Sequence, residues 1–241
     1  MDKALLLDGD IIAYQCATIC EKPINWGDGL WTLHSFEDDV RKAVDEYVNR
    51  LKEQAGLDLV LTAISDTKNF RKDVAPYYKE NRKDIRKPML LGFAKEYLSE
   101  KYTGIVLPTL EADDVLGIYT SKYPESYVCW SLDKDLRSIP GYHLIDGVVQ
   151  EITEEQADLA FYTQVLTGDM VDNYPGCPRV GPKTAEKILN NADDKWEAIL
   201  AAFAKAGLNA DQALEQAQLA RILRHTDYKW DEREVILWRN A

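Results

Sequence analysis

The sequence predicts an α/β protein: a mostly parallel sheet with helices on both faces, followed by a helical C-terminal region. Three observations predict it. Short apolar runs bounded by turn formers alternate with longer amphipathic runs, the pattern of strands joined through helices. Each strand-like run leads into acidic residues. From about residue 168 helical runs follow one another, with only a last apolar run that reads as a strand.

The elements follow in order. "ALLLD" (4–8) is a short buried strand ending at Asp8. "INWGDGLWTLHS" (24–35) reads as a Gly-turned hairpin, and Ser35 then caps a helix over about 36–55 with Val40, Val44, Tyr47, Val48 and Leu51 on one face. "LDLVLTAISD" (57–66) is a second buried strand, ending at Asp66. Residues 70–87 lack apolar periodicity and are strongly basic, whereas 89–102 return to a helical pattern. "GIVLPTLEADD" (104–114) is a third strand running into acids and "YVCWSLDKD" (127–135) a fourth, with helical runs at about 111–122 and 153–167. A Gly/Pro segment comes next, then helices over 195–208 and 210–224, and "EVILW" (234–238) as a closing edge strand.

With 241 residues, 46% of them hydrophobic, the chain can bury a substantial core. It lacks an apolar run of about 18 residues and a signal-peptide pattern, which predicts a soluble, cytoplasmic protein. Four cysteines form no CxxC pair and only three histidines occur, so a structural zinc site is not expected. The net charge of −12 opposes a nucleic-acid partner unless many acids are committed to cations.

Ligands of open parallel sheets bind beyond the carboxyl ends of the strands. Asp8 and Asp10, then Asp66, then Glu111, Asp113 and Asp114, then Asp133 and Asp135 all fall at such ends. One acid after a strand is commonly a turn former or helix cap. Four clusters along one edge are different, because converging carboxylates repel unless they are protonated or bind cations. An all-oxygen site selects a hard ion, Mg²⁺ or Mn²⁺, and the set suits two ions about 3.5–4 Å apart that hold the attacking and leaving oxygens of a phosphodiester. The basic run "RKDVAPYYKENRKDIRK" supplies the complement, with Arg71, Lys79, Arg82 and Lys83 interleaved with Tyr77 and Tyr78. Cations beside aromatic rings suit single-stranded nucleic acid.

Together, "SDTKNFRKDVAPYYKENRK", "EADDVLG", "SLDKDL" and "LTGDMVDNYPGCPRVGPKTA" resemble the 5′ nuclease superfamily. The likeness is greatest to the 5′–3′ exonuclease domain of bacterial DNA polymerase I and to free-standing phage flap endonucleases, and covers about residues 3–190. It implies a PIN-like fold and two-metal hydrolysis at 5′ ends, nicks, gaps or flaps of DNA, or of RNA in RNA:DNA hybrids. It also implies a monomer acting in phage replication and primer removal, with no membrane partner. On the family pattern Asp8, Asp66, Glu111, Asp113 and Asp133 fall at the first Mg²⁺, Asp135, Asp169 and Asp172 at the second, and Asp114 at a further acid of the set. Mn²⁺ is the expected substitute. Lys79 and Arg82 match the pair that contacts the scissile phosphate. Tyr14, Arg71, Tyr78 and Lys83 are implied DNA contacts.

"GCPRVGPKTA" resembles a helix-hairpin-helix-type element in which Gly176, Gly181, Lys183 and Thr184 meet the duplex, with K⁺ held by backbone carbonyls. The implied division is a nuclease core over 1–167, including an arch-like basic segment at about 70–100, and a DNA-gripping region over 168–241. So short an arch favours exonuclease action over flap threading. Two alternatives remain: a haloacid dehalogenase-type phosphatase using Asp8 as nucleophile and Asp10 as acid and base, and a non-catalytic DNA-junction binding protein.

Overall fold

The computed structural model describes residues 3–240. Its centre is a six-stranded sheet. The first strand, β1 (Ala4–Asp8), is buried along its whole length, as the unbroken apolar run requires of a strand covered on both faces. The chain then forms α1 (Gly9–Ile19), the exposed antiparallel hairpin β2 (Lys22–Asn25) and β3 (Trp31–His34), α2 (Glu37–Ala55) and β4 (Val60–Ala63). A short turn of helix, α3 (Arg71–Val74), leads to α4 (Leu91–Lys101), β5 (Gly104–Ile105), α5 (Ala112–Lys122) and β6 (Tyr127–Trp130). A second hairpin, β7 (Gly141–Ile145) and β8 (Val148–Ile152), precedes α6 (Glu154–Thr167). The C-terminal part comprises α7 (Pro182–Asn190), α8 (Lys195–Lys205), α9 (Ala210–Ala220) and a ribbon of β9 (Tyr228–Lys229) and β10 (Glu234–Val235).

The sheet order is β5-β4-β1-β6-β7-β8, and all pairs are parallel except β7–β8. Alternation along β1 divides the core. Leu5 and Leu7 face one apolar layer with α1, α2 and α4, while Leu6 faces a second with α5, Ile222 and Leu223. A third cluster joins Ala75 and Tyr78 through α6 to α7, α8 and α9. Among the described residues no helix is long and apolar enough to cross a membrane.

Several expectations change. The run 104–114 pairs with β4 only at Gly104 and Ile105, and its acids belong to the start of α5. Ser35 does not cap α2: Phe36 occupies the N-cap without a side-chain bond, and Ser35 Oγ is buried with no hydrogen-bond partner among the described residues. Helix α9 ends at Ala220, and "EVILW" contributes two residues to a separate ribbon rather than an edge of the main sheet. The β7–β8 hairpin was not expected, although "DG" at 146–147 carries its signal. Asp146 and Gly147 have φ of +50° and +78°, as a two-residue turn between twisted strands requires.

Candidate active site

The strand order reverses direction at β1, which lies between β4 and β6, and the crevice beyond its carboxyl end is the expected ligand position. Asp8 closes β1 and caps α1. Its Oδ1 accepts a hydrogen bond from the Ile11 amide (3.0 Å) and its Oδ2 one from Ser131 Oγ (2.7 Å), just past β6. Burial pushes the Asp8 carboxyl up to about 6 against the pull of these two donors, and the Asp10 and Asp133 charges add to the rise. Asp113, in the first turn of α5, accepts no hydrogen bond among the described residues. Desolvation, then the Asp8 and Asp133 charges, push its carboxyl well above the usual range. Asp133 caps the 3-10 turn Lys134–Ser138 through the Asp135 amide (2.9 Å). The charges of these three carboxylates act on one another.

Asp135 continues the acidic row. Burial first, then Asp133 and Asp169, raise it to about 6, and Gln164 Nε2 donates to its Oδ2 (2.5 Å). Asp169 opens the loop after α6, where its backbone pairs both ways with Tyr174 (2.8 and 2.9 Å) and its Oδ1 accepts from the Val171 amide (2.6 Å). A cleft of about 1150 Å³ leads from Asp133 and Asp135 past Asp169–Asp172 to Pro182 at the start of α7.

The donors at this edge are all oxygen, carry like charges, and include Asp113 without a hydrogen-bond donor. That chemistry fits hard divalent cations, whose charge removes the repulsion. Among the described residues no three metal-binding side chains close on a single point, so the acids line a cleft rather than a closed cage.

Opposite them sits the basic segment. Lys79 adopts the left-handed backbone conformation (φ +54°), costly for a side chain of this size, and its amide donates to the Asp172 carbonyl (2.9 Å). Its Nζ lies 2.5 Å from Glu111 Oε1 and 3.4 Å from Asp172 Oδ2. Burial opposes the Lys79 charge, but Glu111 and Asp172 outweigh it and raise the ammonium pKa. Burial likewise works to raise Glu111, yet Lys79 and then Arg71 hold its carboxyl down at about 2. Arg82 pairs with Asp172 Oδ1 and donates from Nε to the Val171 carbonyl (3.2 Å). Asp172 is thus the anchor of the basic segment rather than a free member of the acidic row.

Other expected residues fall elsewhere. Arg71 is buried, so it is not a DNA contact: it grips Asp114 with two bonds of 2.7 Å and donates to the carbonyls of Leu219 (3.0 Å) and Arg221 (2.6 Å). Asp114 is fully buried, also accepts from the Leu223 and Glu111 amides, and is no metal ligand. Tyr78 is buried with its hydroxyl against Asp172 Oδ2 (2.9 Å) and Glu111 Oε2 (3.1 Å), so its ring cannot stack on a base. Asp66 is committed to a turn, its oxygens accepting from the Thr109 and Thr67 amides (2.7 Å each), and these bonds lower its pKa. Gly176 packs inward at φ +64°, where a Cβ would stand 2.3 Å from the Gly168 nitrogen, so it does not approach DNA. Asp10 pairs with Lys95 of α4 (2.8 Å) and accepts from the Ser65 amide (3.3 Å).

Tyr14 is 44% exposed on α1 and shares a depression with Asp10, Leu132, Asp133 and Lys134. Lys83 is exposed and pairs with Glu80 (2.7 Å). Gly181 caps α7, and with Lys183 and Thr184 it is exposed; a Cβ there would meet nothing within 4 Å. Ser131, Gln164 and Lys95 were missed. Ser131 stands two residues before Asp133, a usable signal, but nothing local marks Gln164 or Lys95 as neighbours of the acids.

No family model matches the chain. The exonuclease of Escherichia phage T7 is 31% identical over 288 residues, covering 99% of this chain and 94% of that protein. The exodeoxyribonuclease of Enterobacteria phage T3 is also 31% identical, covering 98% and 93%. Among solved structures, the T5 D15 protein co-crystallised with metal ions shares the fold at a TM-score of 0.64 and 14% identity, covering 91% of this chain and 89% of that one. The chain belongs to the 5′ nuclease superfamily of flap endonucleases and 5′–3′ exonucleases.

Proposed function

We propose that the protein hydrolyses phosphodiester bonds at the 5′ ends, nicks, gaps and flaps of duplex DNA, and of RNA in RNA:DNA hybrids, with Mg²⁺ as its natural cofactor. The observation that carries the proposal is the row Asp8, Asp113 and Asp133 at the carboxyl edge of the sheet, faced by Lys79 and Arg82. When bound, two Mg²⁺ ions, or Mn²⁺ in their place, supply an activated water and Lewis acidity at the leaving oxygen. Asp8, Asp113 and Asp133 would hold the first, together with Glu111 and Asp66; Asp135 and Asp169 would hold the second, together with Asp172.

Lys79 and Arg82 bring positive charge to the scissile phosphate and stabilise the charge that develops on it. Both are held by the Glu111 and Asp172 carboxylates in the free protein, so they are oriented before substrate arrives. Tyr14 presents an exposed ring beside the cut for the terminal base pair. The exposed start of α7, with Gly181, Lys183 and Thr184, grips the duplex backbone further along the cleft, and K⁺ at the preceding turn belongs to the same reading. So does the functional division at about residue 168, and a role in phage replication and primer removal in the host cytoplasm.

Against the phosphatase alternative stands Asp10, its required acid and base, which is tied to Lys95. Against a purely DNA-binding protein stands the acidic row itself, which repels phosphate unless cations intervene. The test is digestion of end-labelled duplex, nicked and flap DNA with Mg²⁺. Asp133→Asn is expected to abolish cleavage while still binding DNA; cleavage by that variant at the native rate would overturn the assignment.

A further inference from the structure

We propose that Glu21 is a specificity-determining residue: it ties down the basic segment, keeps a single-stranded flap from passing beneath it, and so favours cutting at an end. The proposal rests on the nuclease reading above, and its observations lie outside the catalytic row.

The basic segment runs from the acidic edge towards the C-terminal end of α1 and then turns back as α4. At one end it is fastened by Asn81 and Arg82 to the carbonyls of Met170 and Val171 and to Asp172. At the other end it is fastened by Glu21, just beyond α1, and past it by the buried Pro88 and by Leu90 against the first apolar layer. Glu21 accepts from both Arg86 terminal nitrogens and from the Met89 amide (2.7 Å). Its side chain is only 6% exposed, although Arg86 is mostly in solvent. A carboxylate so sheltered, taking three donors from one short stretch, is built into the contact rather than resting on the surface. Between the fastenings lie Lys83, Asp84 and Ile85, and Tyr14 of α1 lies close enough to Arg86 to affect its charge.

Chain length decides what the tie does. From Arg82 to Arg86 the backbone can reach at most roughly 14 Å, because each extended residue spans about 3.3–3.6 Å. Such a strap, held at both ends, cannot rise from α1 far enough to admit a nucleic-acid strand. With Glu21 released, the free length runs from Arg82 to the buried Pro88, roughly 20 Å by the same measure. That loop can lift and clear a strand. Glu21 therefore sets whether the enzyme meets DNA as a closed-sided pocket for ends or as an arch over a flap.

Two measurements test this. Limited trypsin digestion reads the tie directly: Glu21→Ala is expected to be cut after Lys83 or Arg86 about fivefold faster or more than the parent, the population change that loss of one charge-assisted contact gives. Unchanged digestion would overturn the tie whatever the activity. The second compares cleavage of a long 5′ flap with release from a nicked duplex. In Glu21→Ala the flap-to-nick ratio is expected to rise by a similar factor while the nick rate stays within about twofold; Glu21→Asp, which keeps the charge, is expected to retain the low ratio. An unchanged ratio, or equal loss of both activities, would overturn the specificity role. Absence of all cleavage by the unmutated protein would instead be a failure of the nuclease reading, and the specificity role would fall with it.

Discussion

Asp113 and Asp114 are adjacent in the sequence and opposite in role. One residue on a helix turns the side chain by about 100°, which sends Asp113 to the crevice and Asp114 to the core beside Arg71. The string "EADD" marks an acidic helix start but not which acid faces outward, because that phase depends on how α5 packs. Arg71 and Tyr78 were misread for the same reason: a basic, aromatic run has no apolar period, so its inward positions are invisible until the third cluster covers them. Asp8 was legible because an acid that closes a wholly apolar run marks a strand's carboxyl end in any parallel sheet. Removal of one partner of a buried pair leaves the other uncompensated, at a cost of about 3–5 kcal/mol. Arg71→Met is therefore expected to lower urea-unfolding stability by that order, and Arg71→Met with Asp114→Leu to recover part of it. Equal losses in the two variants would show that Asp114 is not what suffers.

At the scale of elements, the loop between α6 and α7 is a compact turn in which two of its three glycines meet back to back. Gly168 and Gly176 both have positive φ, and a Cβ on either would stand about 2.3–2.4 Å from the other's backbone. Gly176 also donates its amide to Gln216 of α9 (2.9 Å). The Gly/Pro composition predicted a turn correctly, but its glycines serve the chain's contact with itself, and only Gly181 faces open space. Gly176→Ala is expected to separate the two strands of the loop and shift Asp169, with a stability loss of about 3 kcal/mol or more. Gly181→Ala is expected to leave stability within about 0.5 kcal/mol, as for an open surface position. Thermal unfolding of the pair checks the contrast.

Across the whole molecule, parallel order and placement of the acids at one edge were readable from alternating runs. The β7–β8 hairpin and the packing of α6 against the C-terminal helices were not, because both depend on long-range contacts that local patterns do not encode. A property of the whole fold is its response to acid. Burial lowers the His143 pKa to about 4 from 6.5, opposed by its bond to the Ile139 carbonyl (2.9 Å). A depressed histidine is neutral in both states above 6.5; below it the unfolded chain takes up the proton first, so stability falls as pH drops from 6.5 towards 4. The loss approaches roughly 3 kcal/mol, at 1.36 kcal/mol per unit. In metal-free buffer the pH slope of stability is expected to be shallower for His143→Gln over that window, with the parent as reference so that other groups cancel; identical slopes would sink the assignment.

The grip of Arg71 on the carbonyls of Leu219 and Arg221 has a consequence for timing. Arg71 also touches Glu111 (3.3 Å), so the floor of the acidic crevice is completed by chain made some 150 residues after Arg71 itself. A ribosome that has just translated Asp172 has made every carboxylate of the row, yet the guanidinium beneath them still lacks its last partners. The crevice therefore takes its final form only after the Leu219–Arg221 segment has been made and has packed back onto Arg71.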